Sequence, residues 1–148
     1  MPFSSTYANQ ILNYVFSKTA SLTAPNSVYI GLSKNDPEAD NGVFTELAGY
    51  GYGRVLISQK GLAYPNVIST ASNRSITNAY QINWAKATGE WETANGFGLF
   101  ADATGGTPFF YGKLTAPVIV PEGAVALFDP NTLVISISST DETTASAE

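Results

Sequence analysis

The chain has 148 residues, of which 13% are charged and 44% are hydrophobic, and its formal net charge is -5. This balance excludes a disordered segment and a coiled coil, and the length suits one globular domain, which we place at residues 1–140. A surface so poor in charge is typical of a protein that neighbouring subunits cover, as in a homo-oligomer.

Several partners are excluded by the distribution of charge and hydropathy. The seven basic residues are scattered singly, so we expect no nucleic acid partner and no anionic membrane surface. No run approaches the ~18 apolar residues of a membrane span, and the start lacks the pattern of a signal peptide. The sequence therefore predicts assembly in the cytoplasm where the chain is made.

The first predicted element is an amphipathic helix from about Ser5 to Ser17. Ser4 is among the residues that can cap it, and Tyr7, Ile11 and Val15 follow at helical spacing. Such a helix either packs on the edge of a sheet or docks on another subunit. In the second case these three apolar residues would be the contact.

A strand and an acidic loop follow. Residues 28–33 alternate, which predicts a strand with one apolar face. Asp36, Glu38 and Asp40 then lie in a loop that ends at Gly42. Three carboxylates in five residues could hold a hard cation such as calcium, although the spacing does not match an EF-hand and a solvated turn is favoured. The same loop is a candidate contact with a partner.

The segment Tyr50-Gly51-Tyr52-Gly53 alternates glycine with tyrosine. Such a pattern can present aromatic rings to sugars, or it can be a strand entry whose glycines permit a bend. Residues 54–59 then predict a strand, followed by a short edge strand near 67–71 and one or two strands between 75 and 84.

The central element is a hairpin with arms at 97–101 and 108–114. Asp102-Ala103-Thr104-Gly105-Gly106 joins them with the residues that a tight reversal requires. Short strands at 117–120, 124–128 and 132–138 follow, and residues 141–148 form an acidic tail. Eight to ten strands and one helix predict an all-β fold, a β-sandwich possibly of jelly-roll type.

No histidine or cysteine is present, which removes the common nucleophilic triads and nearly all zinc sites. Glu90 and Glu92 flank Trp91 and are the remaining candidates for acid–base chemistry, as in a glycan hydrolase. No phosphate-binding loop occurs. The sequence therefore argues against an enzyme and against a cofactor.

The order of motifs resembles a family of small virion proteins of tailed bacteriophages. The resemblance lies in G-Y-G-R-V at 51–55, T-N-A-Y-Q-I-N-W at 77–84, N-G-F-G-L-F-A-D at 95–102, the T-G-G turn from Thr104, and G-K-L-T at 112–115. It spans about residues 7–137. Ala101 separates Phe100 from Asp102 where the family has F-D, a departure that affects the register of the turn.

The resemblance implies a virion structural protein of the head or the tail. Our first hypothesis is a capsid auxiliary protein, expected to be a trimer, that binds the major capsid protein and bridges capsomers through the helix and the acidic loop. The alternative is a tail-fibre or receptor-binding protein. In it, four aromatic residues would stack on host glycan: Tyr50, Tyr52, Trp84 and Trp91.

Overall fold

A computed structural model of the chain describes residues 4–18, 25–60, 68, 71–72 and 74–136. These residues form one helix and eight strands: α1 (Ser5–Val15), β1 (Ser27–Ser33), β2 (Val55–Gln59), β3 (Ser75–Thr77), β4 (Ile82–Asn83), β5 (Ala94–Phe100), β6 (Phe110–Val118), β7 (Leu127–Phe128) and β8 (Val134–Ser136). The strands pair antiparallel throughout, as one four-stranded sheet in the order β2-β1-β5-β6 and as the pairs β3-β8 and β4-β7. The predicted all-β class with one N-terminal helix is confirmed, while the jelly-roll sandwich stays a prediction.

The hairpin predicted at residues 97–114 forms one side of the large sheet, with β5 inside the sheet and β6 at its edge. β5 pairs with β6 on one side and with β1 on the other, with Leu99 opposite Phe110 and Gly98 opposite Tyr111. In the connecting turn, Gly105 and Gly106 have φ of 71° and 72°, a region that glycine enters without a Cβ clash. The turn chemistry read from the sequence is therefore confirmed.

One predicted boundary is wrong, because β6 runs on into the segment expected to be a separate strand at 117–120. Gly96 pairs with Lys113 but Ala94 pairs with Val118, so β6 contains a bulge of extra residues. Pro117 has no N–H to give to a ladder and is tolerated in such an irregular stretch. Pro117, the first residue of the predicted strand 117–120, thus lies inside β6.

The core lies against the sheet face formed by β1, β2 and β5. In β1 Ile30 and Leu32 are buried, as the sequence predicts, but Gly31 and Ser33 are buried as well, so both faces of this half of the strand are covered. In β8 Ile135 is buried while Val134 is half exposed. Further buried side chains come from strand β4 and from the segments that connect the strands: Leu47, Ile82, Trp84, Trp91, Val120 and Leu133. The core is therefore completed by segments outside the large sheet.

Helix α1 is attached to the sheet at its first turn. Ser4 caps it, because its Oγ accepts from the Tyr7 N–H at 3.3 Å, and the Ser4 N–H donates to the Phe109 carbonyl at 2.9 Å. The Tyr7 ring packs on Phe109 with a centroid distance of 5.2 Å. The helix ends at Val15, two residues before the predicted end, because Ser17 adopts a left-handed φ of 58°.

Several predicted segments differ from the observed elements or lie outside the described residues. The stretch 75–84 divides into β3 and β4, and only residues 127–128 of the predicted strand 124–128 form a strand. Most of the expected edge strand at 67–71, the end of the last strand and the tail 141–148 lie outside the described residues. In the described part of the chain, no helix has the length and apolar character to cross a membrane.

Candidate functional site

The four aromatic residues predicted to stack on glycan do not form one exposed platform. Trp84 and Trp91 are 2% and 3% exposed, so both are core side chains and the hypothesis that their rings face a ligand is wrong. Tyr52 is half-buried and meets Trp91 edge to face, at a centroid distance of 5.4 Å. Of the four residues, Tyr50 alone is mostly exposed.

The Tyr50–Tyr52 segment closes over the residues before β5. The Trp91 Nε1–H donates to the Tyr50 carbonyl at 2.9 Å, and the Thr88 N–H donates to the same oxygen at 3.0 Å. A Cβ on Gly89 would lie 2.4 Å from the Tyr50 ring, so only glycine permits this approach. The alternation of glycine and tyrosine therefore serves chain packing, which is the bend that the sequence left open.

The Arg54 side chain donates four hydrogen bonds, although the sequence marks this residue only as part of a motif. Its Nε and Nη2 donate to the two carboxylate oxygens of Glu46 at 2.9 and 2.8 Å, a bidentate pair. The Arg54 side chain is 3% exposed and that of Glu46 is 27% exposed. A charge buried to this degree is stable only because it is paired and hydrogen-bonded.

The same guanidinium reaches the central hairpin. Its Nη1 donates to the carbonyls of Asp102 and Gly105 at 2.9 and 2.8 Å, and its Cζ lies 3.4 Å from the centroid of the Phe100 ring. Arg54 therefore ties the G-Y-G-R-V segment to the hairpin turn. We call Arg54, Glu46, Tyr52 and Phe100 the Arg54 cluster.

Tyr52 completes the cluster as a neutral donor and acceptor. Burial raises the pKa of its phenol far above the ordinary value, and the neighbouring Glu46 carboxylate raises it further, although the Leu32 backbone N–H bound to the oxygen lowers it. That N–H donates to Tyr52 Oη at 2.8 Å, and the hydroxyl donates to Glu46 Oε1 at 2.9 Å. The polar groups of the cluster satisfy one another, which suits a structural contact rather than a reaction.

Polar groups of the acidic loop form hydrogen bonds within the loop. Asp36 Oδ1 accepts from the Glu38 N–H at 3.0 Å, and Asn35 Nδ2 donates to Asp40 Oδ2 and to the Val43 carbonyl, each at 2.7 Å. Among the described residues no group of three acidic side chains could hold a metal ion. The favoured interpretation of a turn agrees with this geometry, and the loop as a partner contact stays a prediction.

The two glutamates considered for glycan hydrolysis lie in an exposed segment. Glu92 pairs with Lys34 at 2.7 Å, and both side chains of this pair are well exposed. Glu90 is also exposed, while Trp91 between them points into the core. The described residues therefore place no cleft around this pair.

The three helix residues predicted to contact a partner differ in exposure. Tyr7 and Ile11 are half-buried, whereas Val15 is 63% exposed. The structure brings Tyr7 and Ile11 toward the body and leaves the end of the same stripe open.

Asn78 is a residue that the sequence reasoning missed. It is 0% exposed, its Oδ1 accepts from the Leu133 N–H, and its Nδ2 donates to the carbonyls of Tyr80 and Asp129, all at 2.9 Å. It thereby holds the turn at Asp129-Pro130-Asn131 against β3. An asparagine within an apolar strand pattern was the available signal, because such a residue needs buried partners.

The match to known families is consistent with this arrangement. The family described as "Podophage GP4 fiber I protein gp80" matches residues 2–136, nearly the whole described chain. The chain belongs to this family. The comparison with curated proteins gives no match. Membership in the podophage fibre I family confirms the predicted resemblance to a virion structural protein of tailed phages, and the matched range includes the Arg54 cluster, Asn78 and all the elements from α1 to β8.

Proposed function

We propose that the chain is a non-enzymatic structural subunit of a podophage fibre. The observation that carries this proposal is the match of residues 2–136 to the podophage fibre I family. The structure supports it through the Arg54 cluster, whose polar groups are directed at one another and at the backbone of the hairpin. Such a cluster makes a rigid module rather than a reactive site.

The module would act by contributing surface to a larger assembly. Only 13% of its residues are charged, so its contacts depend mainly on apolar and neutral polar groups. Repeated copies, each weakly held, give a strong attachment because later contacts form at high effective concentration. We expect the partners to be further copies of the chain, with a trimer as the assembled state, and other virion proteins.

The placement on the head as a capsid auxiliary protein is the competing proposal. In it the chain would bind the major capsid protein and bridge capsomers. The family description favours the fibre over the head. Within the fibre, Trp84 and Trp91 are buried, so two of the four rings proposed to bind glycan cannot reach a ligand. We therefore propose a fibre subunit that builds or joins the fibre, without glycan recognition by these rings.

Location and copy number in the virion test this proposal. Purified particles would be separated into heads and tails, and the chain would be quantified in each fraction by mass spectrometry against the major capsid protein. The fibre role requires that it stays with the tail fraction in few copies. Copies in proportion to the capsid lattice would instead show decoration, and absence from washed particles would refute a virion role.

A further inference from the structure

Two asparagine–glycine pairs occur in the sequence, Asn41-Gly42 and Asn95-Gly96. Such a pair is reactive, because the backbone nitrogen of glycine can attack the side-chain amide of the preceding asparagine and no Cβ hinders the approach. The attack joins the glycine N to the asparagine Cγ in a succinimide ring, and the side-chain nitrogen leaves as ammonia with the proton of the backbone N–H. Water then opens the ring to aspartate or isoaspartate. The structure places the two pairs in different surroundings.

The pair Asn95-Gly96 lies inside the large sheet. Gly96 belongs to β5 and pairs with Ser33 of β1 on one side and with β6 on the other. A Cβ on Gly96 would lie 2.3 Å from Pro37, so neighbouring atoms enclose this stretch of backbone. The Asn95 amide is also held, because its Nδ2 donates to the Lys34 carbonyl at 2.6 Å. The Gly96 nitrogen can therefore turn toward the Asn95 side chain only if the sheet itself opens.

The pair Asn41-Gly42 lies at the end of the acidic loop, where the chain reverses. The Asn41 side chain is exposed, and no hydrogen bond in the described part of the chain holds its amide. One hydrogen bond restrains the Gly42 nitrogen, whose N–H donates to the Pro37 carbonyl at 2.8 Å. Exposed loops open locally at a small fraction of the free energy that a central strand requires. The Gly42 nitrogen therefore becomes free to react while the rest of the chain stays folded.

The backbone of this turn requires the residue types that react. Asn41 has φ of 55° and Gly42 has φ of 85°. Both angles lie in the left-handed region, which asparagine tolerates better than most residues and which glycine enters without a Cβ clash. A Cβ on Gly42 would also lie 3.1 Å from the Tyr111 ring. The reactive pair is therefore part of how the loop closes, and replacing Gly42 would strain the turn.

We propose that Asn41 is a modification site of the folded chain, where the side-chain amide is lost through a succinimide formed with Gly42. Asn95 keeps its amide as long as the sheet around it stays folded. The reaction consumes only water, so it proceeds without a further reactant. The inference goes beyond the fibre role and holds whatever the chain assembles with.

The products change the surface of the acidic loop. Aspartate at position 41 follows Asp40 directly and adds a carboxylate to a loop that already carries Asp36 and Glu38. Like charges so close together repel one another. Isoaspartate inserts a methylene into the main chain before Gly42, so the Gly42 N–H no longer aligns with the Pro37 carbonyl. The modification therefore makes the loop more negative and loosens its turn.

Peptide mapping by mass spectrometry measures both sites in one sample, because each conversion replaces an amide with a carboxyl group. The full chain would be incubated in mildly alkaline buffer, once folded and once unfolded in urea. In urea the two pairs should react at similar rates, since glycine follows asparagine in both. In the folded chain we expect Asn41 to convert at least ~10-fold faster than Asn95. A smaller ratio, or no conversion at Asn41 in the time that the unfolded chain needs, overturns the inference.

Asn35→Ala tests whether opening of the acidic loop controls the reaction. The Asn35 side chain makes three hydrogen bonds across the loop, one of them to Asp40 Oδ2 at 2.7 Å. Their loss should raise the rate at Asn41 by about 10-fold and leave the rate at Asn95 unchanged. Gln81→Ala removes an exposed hydrogen bond far from the loop in sequence and, as the matched control, should change neither rate. An unchanged rate at Asn41 in an Asn35→Ala chain that is folded by circular dichroism would refute this route.

Discussion

Arg54→Ala is the substitution that should destabilise the fold most clearly through a polar contact. It removes the bidentate pair with Glu46, both hydrogen bonds to the hairpin turn and the cover on Phe100. Loss of one partner of a buried pair costs about 3–5 kcal/mol. Because Glu46 is 27% exposed and water can reach its carboxylate, the lower end of that range applies to the pair.

The other contacts add a smaller amount. Asp102 and Gly105 are exposed, so their carbonyls can bind water in the variant and contribute little to the loss. Phe100 is 2% exposed and would lose its cover, which costs about 1 kcal/mol. We therefore expect Arg54→Ala to lower the free energy of unfolding by about 4 kcal/mol, a large share of the ~5–15 kcal/mol of a typical domain.

Urea unfolding followed by tryptophan emission measures this loss, because Trp84 and Trp91 are both buried and become exposed on unfolding. Protomer concentration must be equal for all variants, since association stabilises the folded state. Arg54→Lys should recover less than half of the loss, because an ammonium cannot make the planar bidentate pair and reach the turn together. Lys60→Ala removes a positive charge from an exposed position and should change stability by less than about 0.5 kcal/mol. A loss below about 1 kcal/mol for Arg54→Ala, or full stability of Arg54→Lys, would show that the cluster does not hold the hairpin.

Three further predictions concern Tyr52, Asn78 and Gly96. Tyr52 has a raised pKa in the folded state, so the unfolded chain loses the phenol proton first as the pH rises. The free energy of unfolding should therefore fall above about pH 10, by up to ~1.4 kcal/mol per pH unit. Tyr52→Phe should reduce this slope in unfolding curves measured at several alkaline pH values. Asn78→Ala should lower the free energy of unfolding by about 3 kcal/mol, because it leaves the Leu133 N–H without its acceptor. Asn78→Asp should not restore the stability, since a carboxylate cannot donate to the carbonyls of Tyr80 and Asp129. Equal stability of Asn78→Asp and wild type would contradict this. Gly96→Ala should lower the free energy of unfolding by about 2 kcal/mol or more in the urea assay, because its Cβ would lie 2.3 Å from Pro37 Cδ. Gly53→Ala, whose Cβ meets nothing within 4 Å, should be neutral or slightly stabilising. The reverse order would refute the packing of β5 on the 33–37 segment.

Local patterns predict the elements whose structure is decided locally. The hairpin turn follows from Gly105 and Gly106. Ile30 and Leu32 lie on the predicted apolar face of β1, although alternation does not predict that Gly31 and Ser33 are also buried. The helix start follows from a serine at Ser4, whose hydroxyl caps the first turn. In each case the residues that decide the structure are neighbours in the sequence.

The partners of Arg54 could not be predicted in that way. Glu46 is eight residues away, and the carbonyls of Asp102 and Gly105 are 48 and 51 residues away. Carbonyl acceptors leave no mark in the sequence, because every residue has one. The bulge in β6 could not be predicted for a related reason, since it depends on the register in which β6 pairs with β5.

The misassigned aromatics show what kind of site this family's motifs describe. An aromatic residue beside glycine has the same local pattern whether its ring faces solvent or fills the space that the glycine leaves. In this fold Gly89 admits the Tyr50 ring, and Trp91 is fixed through its Nε1–H to the Tyr50 backbone. The motif residues that suggested ligand binding therefore hold the module together. Large apolar side chains that remain exposed outside these motifs include Val15, Phe16 and Ile119.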